Sequence, residues 1–524
     1  MKNGLNNQSS MNSYIKSICD IMRRDRTKGA MQYIPELTWM MFLRILDEKE
    51  LNEEKRRKSV GKSFTSSLKL PYRWRDWGSS EGKKRIELTE KGKLDDFLNF
   101  VNRYISPEEI KKGKEMGLIQ YMKSFEKNPN ASLRQKIISQ IFRNLDRTHL
   151  AIERNLLDVL DMVDKLSTES IDDTHQFPLS QLYEGLLLKM GEKNNDGGQF
   201  FTPREVIRAM IRAVKPKIKV KGEDVKFYDP CFGTGGFLAE THVYLTNPEL
   251  FGKDLNATEI KYLKQNAFWG LDNSDDAFPI ALANLILHDI DYPHLGLKNT
   301  LSGKEQYMEL FKDAPGQFYY IFTNPPFGGK EGEDSRVNFT FRTGNTQILF
   351  LQHIIDSLKD GGTCAMVIDE GVLFRTNEIA FVQTKTKLLE ECNLWCILSL
   401  PPNIFVNAGA GGKTNLLFFT KGKRTEKVWY YDMSHIKVLK RSPFTLDKFN
   451  DFFTRLFSNN EKDKISDKSW YVDIKSIEKK NYDIKAVNPN IKEKIIPKPE
   501  DLIKIIEDSQ KKISEGLEKL KEIK

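Results

Sequence analysis

Two periodicities divide the chain. Apolar residues recur at helical spacing through residues 34–51 (Leu37, Met40, Met41, Ile45), and Pro35 suits the first turn of that helix. The same spacing predicts helix over 133–166, through Ile137, Ile141, Leu145, Ile152, Leu156 and Leu160. From about residue 176 the pattern changes. Short β-branched or aromatic runs at 225–229, 268–272, 319–323 and 363–368 alternate with helical stretches such as 348–358. Strands alternating with helices predict a parallel α/β sheet. Beyond Pro497 and Pro499, residues Leu502, Ile506, Ile513, Leu520 and Ile523 follow a 4-3 register interrupted by Ser509 and Gly516. That predicts a short coiled-coil or docking helix, too short to persist without a partner. The division is therefore a helical region over 1–175, an α/β region over 176–425, and a C-terminal region over 426–524.

Composition narrows this only slightly. A chain of 524 residues exceeds one hydrophobic core, and 39% hydrophobic with 30% charged residues describes an ordinary globular protein. No run approaches the ~18 consecutive apolar residues of a membrane span, and residues 1–13 are polar, so a cytoplasmic location is expected. Cys19, Cys231, Cys364, Cys392 and Cys396 form neither a metal-ligand pattern nor a disulfide framework, and no metal is expected. The net charge of +9 points to a polyanion only if the basic residues share a face. Segment 52–95 holds Lys55-Arg56-Arg57-Lys58 and Arg73-Trp74-Arg75-Asp76-Trp77. Two readings stand for it: contacts to a nucleic-acid backbone, or a solvated excursion whose tryptophans pack on the helices.

The chemistry lies in the α/β region. Asp229-Pro230-Cys231-Phe232-Gly233-Thr234-Gly235-Gly236-Phe237-Leu238 follows a strand and opens a helix. Glycines let the backbone turn tightly and approach a ligand, while amides at a helix start face its polar groups. In a doubly wound sheet that is the cofactor crevice. The next strand ends at Asp272, an acid placed to grip ribose hydroxyls, although it lies further from Asp229 than the ~20 residues typical of dinucleotide folds. An insertion around 245–264 accounts for the difference. A later strand ends at Asn324-Pro325-Pro326-Phe327. The prolines stiffen this loop and leave the Asn324 side chain and the Pro325 carbonyl as directed acceptors. Such a pair accepts both protons of an exocyclic amine and concentrates lone-pair density on its nitrogen for attack on a sulfonium methyl. Phe327 offers an aromatic face to a base flipped out of a duplex. By itself a proline-stiffened strand end is an ordinary rigid turn; its position after a cofactor turn favours the chemical reading.

In this order the motifs resemble the modification subunit of type I restriction-modification systems, a branch of the amino-methyltransferases, over nearly the whole chain. Gly198-Gln199-Phe200-Phe201-Thr202-Pro203-Arg204 resembles the family segment that lines the cofactor's methionine side. The glycine turn, Asp272, Asn299-Thr300-Leu301 and Asn324-Pro325-Pro326-Phe327-Gly328 follow in family order. The corner at 358–362 and the late target-base segment, 400–405 through 413–415, complete the resemblance. It implies a Rossmann-like S-adenosylmethionine-dependent methyltransferase sheet, with an N-terminal helical domain that contacts DNA or partners and a C-terminal helical tail. The implied cofactor is S-adenosyl-L-methionine, held by Gln199, Phe200, Phe201, Thr202, Pro203, Arg204, Asp229, Gly233, Thr234, Gly235, Gly236, Asp272 and Asn299. The implied catalytic residues are Asn324, Pro325, Pro326 and Phe327, acting on the N6 amine of adenine in double-stranded DNA. Asp369-Glu370-Gly371 departs from the pattern, since relatives commonly carry Pro before the Gly.

Only about 100 residues follow the last motif, where a separate recognition domain takes ~100–150, and the N-terminal region reads as a helical bundle. The chain is therefore expected to borrow its sequence reader. The resemblance implies a specificity subunit bound by two copies of this chain, docked through the C-terminal helix, and a motor-nuclease subunit in the full complex. Two decoys fall away. Residues 408–414 look like a phosphate loop, but Asn407 occupies the required first glycine and a strand follows. Cys231 follows a proline as the nucleophile of cytosine-C5 methyltransferases does, yet it sits inside the glycine turn. Other amines (cytosine N4, guanine N2 of RNA, a glutamine amide) use similar loops, but Phe327 and the flanking regions favour DNA adenine. A silent DNA-binding scaffold would not need Asn324, Gly233, Gly235 and Asp272 together.

Overall fold

The computed structural model describes residues 8–25, 30–93, 95–165, 202–302, 316–405, 413–438, 444–485, 487–490 and 499–522. Helices α1 (Gln8–Arg24), α2 (Ala30–Ser59), α3 (Leu133–Ile141) and α4 (Glu153–Asp164), with shorter pieces between them, form the N-terminal layer. Helix α2 runs through Pro35 instead of starting at it. The single helical run expected over 133–166 is broken between α3 and α4, and carboxylates hold the later part of the break. Asp25 accepts from the Ala151 and Ile152 amides at 3.1 and 3.0 Å, while buried Glu36 accepts from the His149 amide at 2.9 Å and from the Thr148 hydroxyl. Amides claimed by side chains do not donate to a preceding turn, so 149–152 stay outside a helix and α4 starts only at Glu153.

The same layer settles part of the tryptophan-containing segment. Trp74 and Trp77 are 1% and 0% exposed, and Trp77 stacks on Trp39 with ring centres 6.2 Å apart. The Trp74 indole donates to Asp164 at 2.7 Å; Arg75 pairs with Asp47 at 2.9 Å and Arg73 with Asp76 at 3.2 Å. Packing is the correct reading here. The basic run Lys55 to Lys58 remains exposed near the end of α2.

Helix α5 (Arg204–Val214) leads into a nine-stranded sheet. Its strands are β1 (Phe227–Asp229), β2 (Phe268–Asp272), β3 (His294–Leu297), β4 (Phe318–Thr323), β5 (Leu358–Asp369), β6 (Cys392–Ser399), β7 (Thr414–Lys421), β8 (Lys427–Asp432) and β9 (Ser469–Asp473). The spatial order is β9-β8-β6-β7-β5-β4-β1-β2-β3. Helices α6 (Gly236–Thr246), α7 (Ala277–Leu287) and α8 (Thr346–Ser357) cover its faces. The extra length between Asp229 and Asp272 is helical, since Pro248–Phe251 and Ala257–Gln265 follow α6.

Two expectations need correction. The sheet is mixed, because β7 runs antiparallel to β5 and β6, and β9 antiparallel to β8. Strand β7 returns from β6 without a helical crossover among the described residues, and a parallel pairing would need one. The sheet also continues past residue 425. Strand β8 pairs in parallel with β6, so the boundary expected there falls inside one sheet. Val428, Trp429, Tyr430 and Tyr431 are buried as an unbroken run, the signature of a strand covered on both faces. Helix α9 (Pro499–Glu522) carries Leu502, Ile506 and Ile513 at 42, 57 and 62% exposure. The Leu520 side chain and Ile523 lie outside the described residues. No described helix is long and apolar enough to cross a membrane.

Trp77 sits among Trp39, Trp74, Phe97 and Phe100. Trp77→Ala is expected to cost about 3–5 kcal/mol of stability, the usual range for emptying a buried aromatic site. Urea denaturation of both proteins at equal concentration measures it.

Candidate active site

The strand order reverses between β1 and β4, and a crevice opens beyond the carboxyl ends of these strands, as such a switch point dictates. Strand β1 ends at Asp229 and β4 at Thr323. The Thr323 hydroxyl donates to Asp229 Oδ1 at 2.7 Å, and the Cys231 amide donates to the same oxygen at 3.1 Å. Cys231 Sγ lies 2.9 Å from Thr323 Oγ1. This buried knot holds the two strand ends in register. Burial pushes Asp229 up to about 7 against the hydrogen bonds from Thr323 and Cys231. Burial, then the nearby Asp229, push the Cys231 thiol well above its usual range, which removes it as a nucleophile at neutral pH.

The glycine turn needs its glycines for definite reasons. Gly235 adopts a left-handed φ of 77° at the start of α6. A Cβ on Gly236 would lie 2.0 Å from Arg204 Nη1, so the guanidinium occupies the space a side chain would take. Asp272 Oδ2 accepts from the Gly233 amide at 2.8 Å and Oδ1 from the Ser274 amide at 2.9 Å. The acid expected to grip a ribose therefore also braces the turn. Its burial raises its pKa, opposed by these backbone donors. Asn284, the one amide side chain in the otherwise apolar α7, donates to the Thr234 carbonyl at 2.9 Å.

Helix α5 brings the upstream segment to the same crevice. Its buried face carries Val206, Ile207, Met210 and Ile211, and Arg208 clamps Glu240 of α6 through two hydrogen bonds of 3.0 and 2.9 Å. Against the cost of burial, Arg208 holds Glu240 below the usual carboxylate range. Thr202 then stands beside Asn324, whose Nδ2 donates to Thr202 Oγ1 at 3.0 Å. Asn324 Oδ1 is buried with no hydrogen-bond partner. Pro325 is buried, Pro326 exposed, and the half-buried Phe327 meets Phe405 edge-on at 5.7 Å.

Together these elements enclose a cavity of about 370 Å³. Its walls include Thr202, Arg204, Gly233, Thr234, Gly236, Asp272, Asn299, Asn324, Pro325, Pro326 and Phe327 from the sequence-derived set. Asp229 stands behind the wall, and Gly235 shapes the turn. Asn299 Nδ2 donates to Ser335 Oγ at 3.3 Å and to Glu331 Oε2 at 3.5 Å, the latter also a residue of the wall. Gln199, Phe200 and Phe201 lie outside the described residues, as does 406–412 of the decoy loop. Sequence reasoning missed Thr323 and Asn284; a lone amide within an apolar helix was the available signal for the second. Phe405 was noted only as part of a motif, and its pairing with Phe327 is a matter of tertiary contact.

Comparison with known proteins shows the family. Residues 175–495 match the model of the N-6 DNA Methylase family, and residues 11–162 match the HsdM N-terminal domain. The methylase subunit of the type I restriction enzyme EcoEI from Escherichia coli is 31% identical over 530 residues, spanning 98% of this chain and 97% of that protein. Among solved structures, a chain from a type I R-M system superposes with a TM-score of 0.70 at 30% identity, covering 99% of both chains. A modification subunit assigned to the type I class from Vibrio vulnificus YJ016 gives 0.73 at 27% identity, over 92% of this chain and 97% of that one.

The raised Asp229 carboxyl carries a pH signature. Its folded-state value of about 7 lies above the ordinary 3.8, so its contribution to stability is full below about pH 3.8 and is lost as pH rises through about 7. Asp229→Asn keeps an oxygen acceptor and cannot ionise. Urea midpoints should therefore shift in favour of the mutant, relative to wild type, between pH 5 and pH 8; a pH-independent difference would contradict the assignment.

Proposed function

The chain belongs to the N-6 DNA methylase family, as a type I restriction-enzyme methylase subunit, and on that premise we propose how its site works. It transfers a methyl group from S-adenosylmethionine to the N6 amine of an adenine flipped out of DNA. The observation that carries this reading is Asn324, a residue of the crevice wall whose Oδ1 is buried and has no partner. A buried acceptor without a partner costs about 1–3 kcal/mol, and an incoming N–H recovers it. Asn324 Oδ1 and the Pro325 carbonyl accept the two amine protons, which raises the lone-pair density on nitrogen. Phe327, braced by Phe405, supplies the aromatic face for the extruded base.

The crevice fits the cofactor on its own terms. The glycine turn brings bare backbone to the cavity, and Gly236 leaves no room for a side chain beside Arg204. Thr202, Pro203, Arg204, Gly233 to Gly236, Asp272 and Asn299 would hold the cofactor, with Asp229 fixing the turn from behind; the resemblance extends the set to Gln199, Phe200 and Phe201. S-adenosylmethionine, when bound, supplies an electrophilic methyl group. The protein's part is to orient the amine and to exclude water from it.

The partners follow the same reading. A specificity subunit binds two copies of this chain and chooses the DNA sequence, and a motor-nuclease subunit joins for cleavage. The exposed apolar side chains of α9 suit docking to the specificity subunit.

Two outcomes are expected. Asn324→Ala lowers methyl transfer by at least about 10²–10³-fold, the usual cost of losing one preorganised polar group in a reaction site. It should leave cofactor affinity near wild type by calorimetry; transfer at the wild-type rate would refute the mechanism. Deleting 497–524 weakens assembly with the specificity subunit in size-exclusion chromatography, and an unchanged complex would remove α9 from that role.

A further inference from the structure

A side-chain amide can turn over by 180° with little change in shape, exchanging acceptor for donor. At Asn324 the two orientations have opposite chemistry. With Oδ1 available, an amine proton is accepted. With Nδ2 in its place, two donors meet and the amine is repelled. Catalysis of the kind proposed above therefore requires the Asn324 side chain to be held in place.

We infer that Thr202 is a positioning residue for methyl transfer: its hydroxyl oxygen accepts from Asn324 Nδ2 and tethers the side chain in the orientation that leaves Oδ1 without a protein partner. The inference rests on the function proposed for Asn324, and it adds to the cofactor-side role that the resemblance gives to segment 199–204. Thr202 is the described side chain that bonds to Nδ2, at 3.0 Å. Both partners are anchored independently. On one side Pro203 fixes the entry to α5, and the Arg208–Glu240 clamp ties α5 to α6. On the other, Thr323 is tied to Asp229 and Pro325 is buried. The Thr202–Asn324 bond thus joins two rigid elements across the crevice, where a small side chain can hold the amide in place without moving the backbone.

The test uses the chain assembled with its specificity subunit and unmodified genomic DNA. Thr202→Val keeps the shape and removes the acceptor; Thr202→Ser keeps the acceptor and removes the methyl. Single-turnover methyl transfer is measured at saturating S-adenosylmethionine, with cofactor Kd measured separately by calorimetry. Thr202→Val should slow transfer roughly tenfold, the weight of one buried hydrogen bond. Its cofactor Kd should stay within about threefold, and Thr202→Ser should restore the rate. Thr202→Ala gives the same readout should valine disturb folding. A weaker Kd with a wild-type rate at saturation would make Thr202 a cofactor contact alone and overturn the inference. Serine as slow as valine would overturn it too. Asn324→Ala separates the levels: if that variant still transfers, the functional reading itself fails, whereas an inactive Asn324→Ala beside a fast Thr202→Val refutes only the role of Thr202.

Discussion

The hydrogen bond from Thr323 to Asp229 is the constraint on which the site depends. It joins the ends of two parallel strands at the point where the strand order reverses, in a place closed to solvent. One side of this bond leads through Cys231 into the glycine turn; the other leads directly into Asn324. A parallel pair leaves its strand ends free to splay, because nothing in the ladder extends beyond the last backbone bond. A buried side-chain bridge removes that freedom. The cost is visible in Asp229, whose carboxyl is pushed up to about 7 because burial outweighs its two donors. The fold tolerates an awkward acid there because the two halves of the chemistry must not drift.

The N-terminal layer bears on the same turn through α7. Asn284 and Leu285 touch Thr234 and Gly235 from one side. At the end of that helix Lys49 of α2 donates to the Ile286 carbonyl at 2.7 Å and pairs with Asp289. Arg134 at the start of α3 reaches Asp291 at 3.6 Å, and Asn144 donates to the Asp275 carbonyl at 3.0 Å. The helical layer therefore grips both ends of the helix that buttresses the turn. Its packing on the sheet also braces the crevice.

How much of this was legible in the sequence depends on the range of the interaction. The strands at 268–272 and 318–323 and the helix at 346–357 declare themselves through local patterns, because nearly all their residues are buried and their flanks are polar. The glycine turn and Asn324 were legible for a different reason: their chemistry is carried by residue type and order. What failed was whatever rested on distant partners. The segment before α4 is held out of the helix by Asp25 and Glu36, more than a hundred residues away in the chain. Trp74 and Trp77 look alike as nucleic-acid contacts or core until Trp39 and Asp164 are known to lie beside them. The reversal of β7 and the addition of β8 are matters of pairing, to which periodicity is blind.

The two ends of the proposed function also place opposite demands on the chain, and the fold meets them in different places. Methyl transfer needs polar atoms held out of water in one orientation, which only a deep, over-determined crevice provides. Thr202, Asp229, Asp272 and Asn324 are accordingly set on strand ends and helix starts, each tied to a second element. Docking needs the reverse, apolar side chains left in water until a partner covers them. Leu502, Ile506 and Ile513 on α9 meet that need. A helix with its stripe exposed gains little from folding alone, so its order is supplied by whatever it binds. On this reading the assembly step acts on a part of the chain that the catalytic crevice does not require for its own shape. Exchange of the sequence reader then leaves the position of Asn324 unchanged, and one crevice can serve many target sequences.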